Sequence, residues 1–384
     1  MQLLKASSEV LIKPLNTVIG IVERRSTMPI LANILIKKTG NRVEFTTTDL
    51  EVEITTTADI GVGEESALVT VSARKFLEVL RTLPSGGMVD ITLEDAKLQI
   101  VCGRSRFSLH TMPGEDFPQV DQPESWQQPD SVEAIPDTFV LPQKTLKRLF
   151  NMVSFAMAKQ DIRYYLNGIL LVVEPDSVRA VATDGHRLAH LAEAIETPLT
   201  EERQLILPAK TVIELQRLLD ESDEPVSISL NKGAKHSQIR FAFGDVVLVS
   251  KLIEGRFPDY KRVIPTDYER HLTISREELQ SNLQRSRILV ANDRLHGIKL
   301  SFNDNQLKIF ATNQEQEEAI NSLAIDYSYE PLEIGFNVNY LLDALSVIKD
   351  EDIIVSLKPI SGSSVIINLK SDDNFKYVVM PLRI

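Results

Sequence analysis

VTVSARKFLEVL, residues 69–80, returns twice more along the chain, as LILPAKTVIELQ at 205–216 and as IGFNVNYLLDAL at 334–345. The offsets are 136 and 129 residues. A second echo keeps nearly the same spacing: TTDLEVE from Thr47, ATDGHRL from Ala182 and ATNQEQE from Ala311 lie 135 and 129 apart. A period near 130 is far too long for a solenoid unit, so each copy is expected to be a domain with its own core. Three tandem copies make an arc, and an arc is a means of surrounding something.

Each copy reads as strand, helix, strands, and then the same again. In the first, Val10, Leu11, Leu15, Val18 and Val22 recur near the helical period, which predicts a helix from about Ser7 to Val22 with Pro14 in its first turns. The threonine-rich stretch from Arg42 to Thr57 predicts strands. A second helix is expected after Ser72, an N-cap candidate, with Phe76, Leu77, Leu80 and Leu83 on one face and Pro84 as its stop. The same order places helices near 143–159 and 208–220, and again near 275–289 and 338–348. The class is α+β. From Pro118 to Pro136, with Pro123 and Pro129 inside, the chain is acidic and aperiodic, as a surface linker is. A second boundary falls around Pro265 to Arg270, after the repeated pairs Phe117-Pro118 and Phe257-Pro258. The expected division is 1–122, a linker at 123–136, then 137–266 and 267–384.

Composition sets outer limits. With 384 residues, 43% hydrophobic and 25% charged, the chain has the balance of ordinary globular protein and length for two or three cores. The longest uncharged runs, such as Ser26 to Ile36, reach 11 residues, short of the roughly 20 that span a bilayer. Lys5, Glu9, Lys13 and Pro14 interrupt the apolar patches of the amino terminus, so no cleavable leader is read there. Cys102 is the only cysteine, which rules out an internal disulfide and points to the cytoplasm.

The net charge of −12 would by itself argue against nucleic acid as a partner. The helices differ from the rest, carrying +1 over 7–25, +2 over 72–82, +4 over 143–159, 0 over 208–220, +1 over 275–289 and −1 over 338–348. Together they hold +7, leaving −19 for everything else. If the helices line one surface, that face is mildly basic and the back strongly acidic; the plainer reading is that helices favour Lys and Arg.

The runs TMPILANILI, TTDLE, VSARKF, GRSRFSL, QDIRYYLNG, ATDGHRLA, SKLIEGRFPDYKRVIP, NQEQEEA, EIGFNVNYLLDAL and YVVMPLRI, in this order along the whole chain, closely resemble the bacterial β sliding clamp family, the processivity factor of DNA polymerase III. The resemblance implies three tandem clamp domains with helices inside and antiparallel sheets outside, in a ring-shaped homodimer threaded by duplex DNA. It implies as partners double-stranded DNA held without reading its sequence, a second copy of the chain, the catalytic subunit of DNA polymerase III, the clamp loader, and other polymerases and repair proteins that dock through short peptide motifs. No membrane, cofactor or metal is implied.

Site residues follow from the same resemblance. Arg25, Gln160, Tyr164 and Tyr165 match DNA-contacting positions, where Arg and Gln reach phosphates and tyrosine rings stack on bases or sugars. Read without it, Tyr164 and Tyr165 would be strand residues packed on a core. A peptide pocket is implied at Leu166, Thr183, Gly185, His186, Arg187 and Leu188, with Pro258, Arg262, Val263, Tyr340 and Ser364, closed by Val378, Met380, Pro381, Leu382 and Arg383. Apolar side chains around a few polar atoms suit an apolar anchor, and methionine adapts to varied partners. The plainer alternative is a carboxyl terminus that only completes a sheet, although its apolar end is unlike a frayed terminus. A dimer seam is implied with Phe107, Leu109, Ile288 and Leu289 at its centre, flanked by Lys75 with Glu315, Lys97 with Glu317 and Arg106 with Glu318. Arg104 departs from the pattern, because Asn321 and Ile320 stand where acids are expected.

Enzyme readings are weak. Asp184 and His186, two apart, would share a face of a strand, and HRLAH spaces His186 and His190 as in a zinc helix. HRLAH, however, lacks the Glu of HExxH and lies in an expected strand. There is no Walker lysine motif, no GxGxxG and no nucleophile elbow. A β-rich scaffold that binds proteins but not DNA would use the pocket and leave the basic helices idle.

Overall fold

The computed structural model describes residues 1–23, 27–123, 126, 138–232 and 237–383. They form two compact units, Met1–Lys144 with Ile213–Leu252, and Thr145–Val212 with Ile253–Ile384. Elements are numbered along the chain.

The first unit is built on one antiparallel sheet of twelve strands. Its strands are β1 (Gln2–Ser7), β2 (Asn33–Thr39), β3 (Arg42–Thr48), β4 (Val52–Asp59), β5 (Ala67–Ser72), β6 (Met88–Glu94), β7 (Lys97–Cys102), β8 (Ser105–Pro113), β9 (Thr138–Pro142), β14 (Pro225–Lys232), β15 (Ser237–Phe243) and β16 (Val246–Lys251). Their spatial order is β1-β6-β7-β8-β5-β2-β3-β4-β16-β15-β14-β9. The run is continuous because β4 and β16 pair antiparallel from Thr56 opposite Val246 to Val52 opposite Ser250. Helices α1 (Ser8–Val18) and α2 (Ala73–Thr82) pack against each other. In α2 the buried Ala73, Phe76, Leu77 and Leu80 fall on one stripe, the helical spacing of a core-facing surface.

The second unit has two sheets. The larger follows β13 (Arg203–Pro208), β10 (Gly168–Val173), β11 (Ser177–Thr183), β12 (Arg187–Ala194), β24 (Phe375–Val379), β23 (Val365–Leu369), β22 (Asp352–Leu357) and β17 (Arg270–Ser275). The smaller follows β20 (Glu318–Ala324), β19 (Gln306–Thr312), β18 (Gly297–Asn303) and β21 (Leu332–Asn337). Every residue of β10, GILLVV, is buried, so this strand is covered on both faces. A Cβ on Gly168 would lie 2.1 Å from the Leu207 carbonyl oxygen, so only glycine fits there. By contrast β18 alternates buried and half-buried residues, the pattern of a sheet with one solvated face. Four further helices complete the described set: α3 (Gln143–Val153), α4 (Ala209–Leu218), α5 (Arg276–Val290) and α6 (Val338–Val347). The three repeated segments are β5–α2, β13–α4 and β21–α6, one strand running into one helix each time.

Some local expectations change. Pro14 sits in the interior of α1, where it withholds one helical amide, and the following turn, Ile19–Ile21, is a 3-10 helix. Val10 is exposed and lies off the buried stripe of Leu11, Leu15 and Val18. Ser72 occupies the N-cap of α2 but its hydroxyl makes no capping bond, whereas Ser275 caps α5 through the Glu278 amide at 3.4 Å. Most of the stretch read as a linker lies outside the described residues. No helix among the described residues is long and apolar enough to cross a membrane.

Candidate functional sites: an apolar pocket, a loop and two open strand edges

The segment Thr183-Asp184-Gly185-His186 makes the turn from β11 into β12. The Asp184 carboxylate accepts the amides of His186 at 2.9 Å and Arg187 at 3.1 Å, and the Thr183 hydroxyl accepts the amide of Gly185 at 3.1 Å. Gly185 takes φ +89°, which a side chain disfavours. Asp184 and His186 therefore belong to a turn and do not share a strand face; His190 alone of the HRLAH pair lies inside β12.

The turn aims Arg187 inward. Its guanidinium donates to Asp184 at 3.1 Å and Asp343 at 2.6 Å, and its centre lies 4.5 Å over the ring of Tyr340. Burial opposes that charge, yet the Tyr377 oxygen and the carboxylates of Asp343 and Asp184 outweigh it and hold the pKa above its ordinary value. Burial pushes the Tyr377 phenol up as well. Its hydroxyl donates to the Tyr340 carbonyl at 2.8 Å, tying the last strand to α6.

Beside this turn is a cavity of about 190 Å³ lined by Arg163, Leu166, Thr183, Gly185, Arg187, Leu188, Pro258, Tyr260, Val263, Val378 and Met380. Nine of the expected pocket residues meet here: Leu166, Thr183, Gly185, Arg187, Leu188, Pro258, Val263, Val378 and Met380. The others stand off the cavity. His186 stacks on Tyr340 at 6.3 Å, Arg262 is exposed and pairs with Asp259, and the Ser364 carbonyl accepts from the Tyr268 hydroxyl at 3.4 Å. Pro381 and Leu382 are half-buried and Arg383 is exposed. The Leu382 amide donates to the Gly335 carbonyl at 2.8 Å, so this end of the chain also closes a bridge to β21.

Arg163 and Tyr260 line the cavity without having been expected from the sequence. Both stand inside the quoted runs QDIRYYLNG and SKLIEGRFPDYKRVIP, so their signal was position in a motif and not residue type. Tyr260 stacks on the half-buried His190 at 5.8 Å. The Nδ1 of that imidazole has no hydrogen-bond partner among the described residues, and burial, with Lys376 and Arg179 nearby, lowers its pKa to about 4.

A loop projects next to the pocket. The Ala158 amide donates to the Leu166 carbonyl at 3.0 Å, and Asn167 bonds both the amide and the carbonyl of Asp161 at 2.9 Å, which closes the loop at its base. Gln160, with φ +55°, and Tyr164, 58% exposed, stand at its tip; Tyr165 is half-buried and meets Tyr164 edge-on at 5.8 Å. Tyr164 and Tyr165 open a 3-10 turn, Tyr164–Leu166, and are not strand residues. Ile162 is 97% exposed at the same tip. Arg163 and Leu166 belong to both the loop and the pocket wall. Arg25 lies outside the described residues.

Each unit also leaves a strand edge open. Along Ser105–His110, β8 pairs with β7 alone, reaching β5 only at Thr111–Pro113, and half-buried Phe107 and Leu109 alternate with exposed Arg106 and Ser108. Arg104, Lys97 and Lys75 are exposed in the same unit. In the other unit β20 is the edge of its sheet, with Glu318 at its start and Glu315 and Glu317 exposed in the turn before it. Ile288 on α5 is 74% exposed and Leu289 half-buried. Asn321 donates to the Ser286 hydroxyl at 2.9 Å, so the amide that stands in place of an acid bonds within its own unit, and Ile320 is exposed.

Tandem α+β domains with antiparallel sheets, and an apolar pocket beside a projecting loop, are the outline of a DNA-clamp protein. The models of the DNA polymerase III beta subunit match throughout: the N-terminal domain over residues 3–121, the central domain over 140–259 and the C-terminal domain over 261–383. The beta sliding clamps of Pseudomonas aeruginosa and of Escherichia coli K12 are each 42% identical over 376 residues, covering 98% of both chains. Crystal structures of the P. aeruginosa DNA polymerase III subunit beta, one of them bound to griselimycin, superpose with TM-scores of 0.90 and 0.91 at 41% identity over 100% of both chains. The chain belongs to the beta sliding clamp family, whose members are the non-catalytic processivity subunit of DNA polymerase III.

Proposed function

We propose that two copies of this chain close a ring around duplex DNA and tether the replicative polymerase and other replication and repair proteins to it in the cytoplasm. The domains are 1–122, 137–266 and 267–384, joined in the first case by the linker 123–136. The open edge of β8 with Phe107 and Leu109 meets β20 and α5 of the other copy, burying Ile288 and Leu289. Lys75, Lys97, Arg104 and Arg106 on one side and Glu315, Glu317 and Glu318 on the other rim that seam. Such exposed pairs contribute at most about 1 kcal/mol each, so the apolar centre dominates. Arg25, Gln160, Tyr164 and Tyr165 touch DNA without reading its sequence.

The observation that supports the tethering role is the cavity in which Leu166, Leu188, Pro258, Val263, Val378 and Met380 surround a neutralised Arg187. It suits the large apolar side chain of a short peptide. Met380 tests this better than Leu382, because Met380 is among the residues lining the cavity and Leu382 is not. Anchoring one Leu or Phe there contributes roughly 1.5–3 kcal/mol before ordering costs. Met380→Glu is therefore expected to weaken a glutamine-containing clamp-binding peptide at least about tenfold by titration calorimetry while leaving the dimer mass unchanged. Undiminished affinity would show that the pocket is not the docking site.

A further inference from the structure

The face of the twelve-stranded sheet across β4, β16, β15 and β14 carries a second concavity, about 880 Å³ and wholly within the first unit. The register places its floor. Glu53, Val249 and Arg240 are direct neighbours across β4, β16 and β15, and so share one face. The next row on that face is Thr55, Val247, Ala242, Ser227 and Val140, and all of them line the groove. Val120 and Trp126 pack over Val249 and add an apolar wall.

Arg240 is the exception in this floor. It is 7% exposed, its Nε has no hydrogen-bond partner among the described residues, and burial lowers its pKa with no carboxylate among them offsetting the loss. The nearest acid along the row, Glu53, is two strands away and already accepts the Val120 amide at 2.9 Å and the Gln122 amide group at 2.8 Å. At one end of the groove, Lys37 and Arg42 pair with Glu44. A guanidinium is normally taken out of water only with a partner, because the bare charge is costly to bury.

We propose that this groove binds an anionic ligand, a carboxylate or phosphate carried on an apolar chain, with the anionic head on Arg240 and the chain along Val140, Val247 and Trp126. The guanidinium supplies charge-assisted donors to the head, and the Ser227 hydroxyl lies in the adjacent row on the neighbouring strand β14.

Trp126 is the single tryptophan of the chain and lines the groove, so its emission reports occupancy directly. The full-length protein is titrated with hexyl phosphate, hexanoate, inorganic phosphate and hexanol. A saturable change with hexyl phosphate or hexanoate, weakened at least tenfold in Arg240→Met and retained in Arg240→Lys, is the expected result, and the two alkyl anions separate a phosphate ligand from a carboxylate one. Val140→Asp, a change on the exposed edge strand β9, is expected to weaken binding as much, and decides the matter if Arg240→Met does not fold. A linear response to both alkyl anions, an equal response to hexanol, or equal binding by wild type and variants would overturn the proposal.

Discussion

The pocket beside β12 and the groove across β4 and β15 are both built over a buried arginine, and the two arginines are treated in opposite ways. Arg187 is neutralised within the fold by Asp184 and Asp343 and lies on Tyr340. Among the described residues Arg240 has an unpartnered Nε and no offsetting acid. A satisfied charge leaves the cavity above it to apolar recognition, as an exchangeable peptide anchor requires. An unsatisfied one makes the cavity a receptor for an anion. Burial alone thus says little about what a site takes; the hydrogen-bond inventory around the buried group decides it.

That contrast is sharpest in stability. Asp184→Ala removes the acceptor of two backbone amides and one partner of Arg187, so it should destabilise the protein by about 3 kcal/mol in denaturant unfolding. Arg240→Met removes an unpaired charge instead and should be neutral or stabilising by roughly 1 kcal/mol in the absence of ligand. Equal losses in the two variants would erase the distinction.

The two regions also answer pH with opposite signs. Burial raises Glu53 from 4.5 to about 7 against the bonds from Val120 and Gln122. The folded state therefore holds a proton that the unfolded chain releases, and this stabilisation is complete below 4.5 and lost as pH rises through 7. His190, lowered from 6.5 to about 4, contributes stability that is present above 6.5 and lost as pH falls through 4. Each shift is worth on the order of 3 kcal/mol, and between them the slopes largely cancel. Glu53→Gln should unmask the histidine, so that stability climbs with pH from 4 to 6.5 and is about 2 kcal/mol above wild type at pH 8. A pH profile parallel to wild type would contradict the assignment of Glu53.

The sequence made the strand-to-helix repeats legible because each is local: one apolar strand running into an amphipathic helix, three times. The Asp184 turn was not legible, since Asp184 and His186 read as neighbours on one strand face, whereas the Asp184 carboxylate holds two amides of the turn; the pocket walls were legible only through the resemblance of the compact runs that carry them. What else the sequence hid depends on pairing between distant segments. That Glu53, Val249 and Arg240 form one row follows from the register of β4 on β16, strands nearly 200 residues apart, which no local period encodes. The same holds for Leu382, which the resemblance implies as a pocket wall, whereas it is not among the residues lining the cavity and pairs instead with Gly335 on β21, nearly 50 residues away. Pro14 was misplaced for a different reason: propensity puts proline in a first turn, and the packing of Leu11, Leu15 and Val18 carries α1 through it.

The central claim is enclosure, and topology tests it most directly. Labelled protein is loaded by its clamp loader onto nicked circular DNA, isolated by gel filtration at raised salt, and the circle is then cut once. A ring held by topology stays with the closed circle and leaves after the cut, because helices that together carry +6 on a chain of −12 hold DNA too weakly to survive that salt by charge alone. Retention that is the same on circles and linear DNA, or loss that is the same from both, would contradict it.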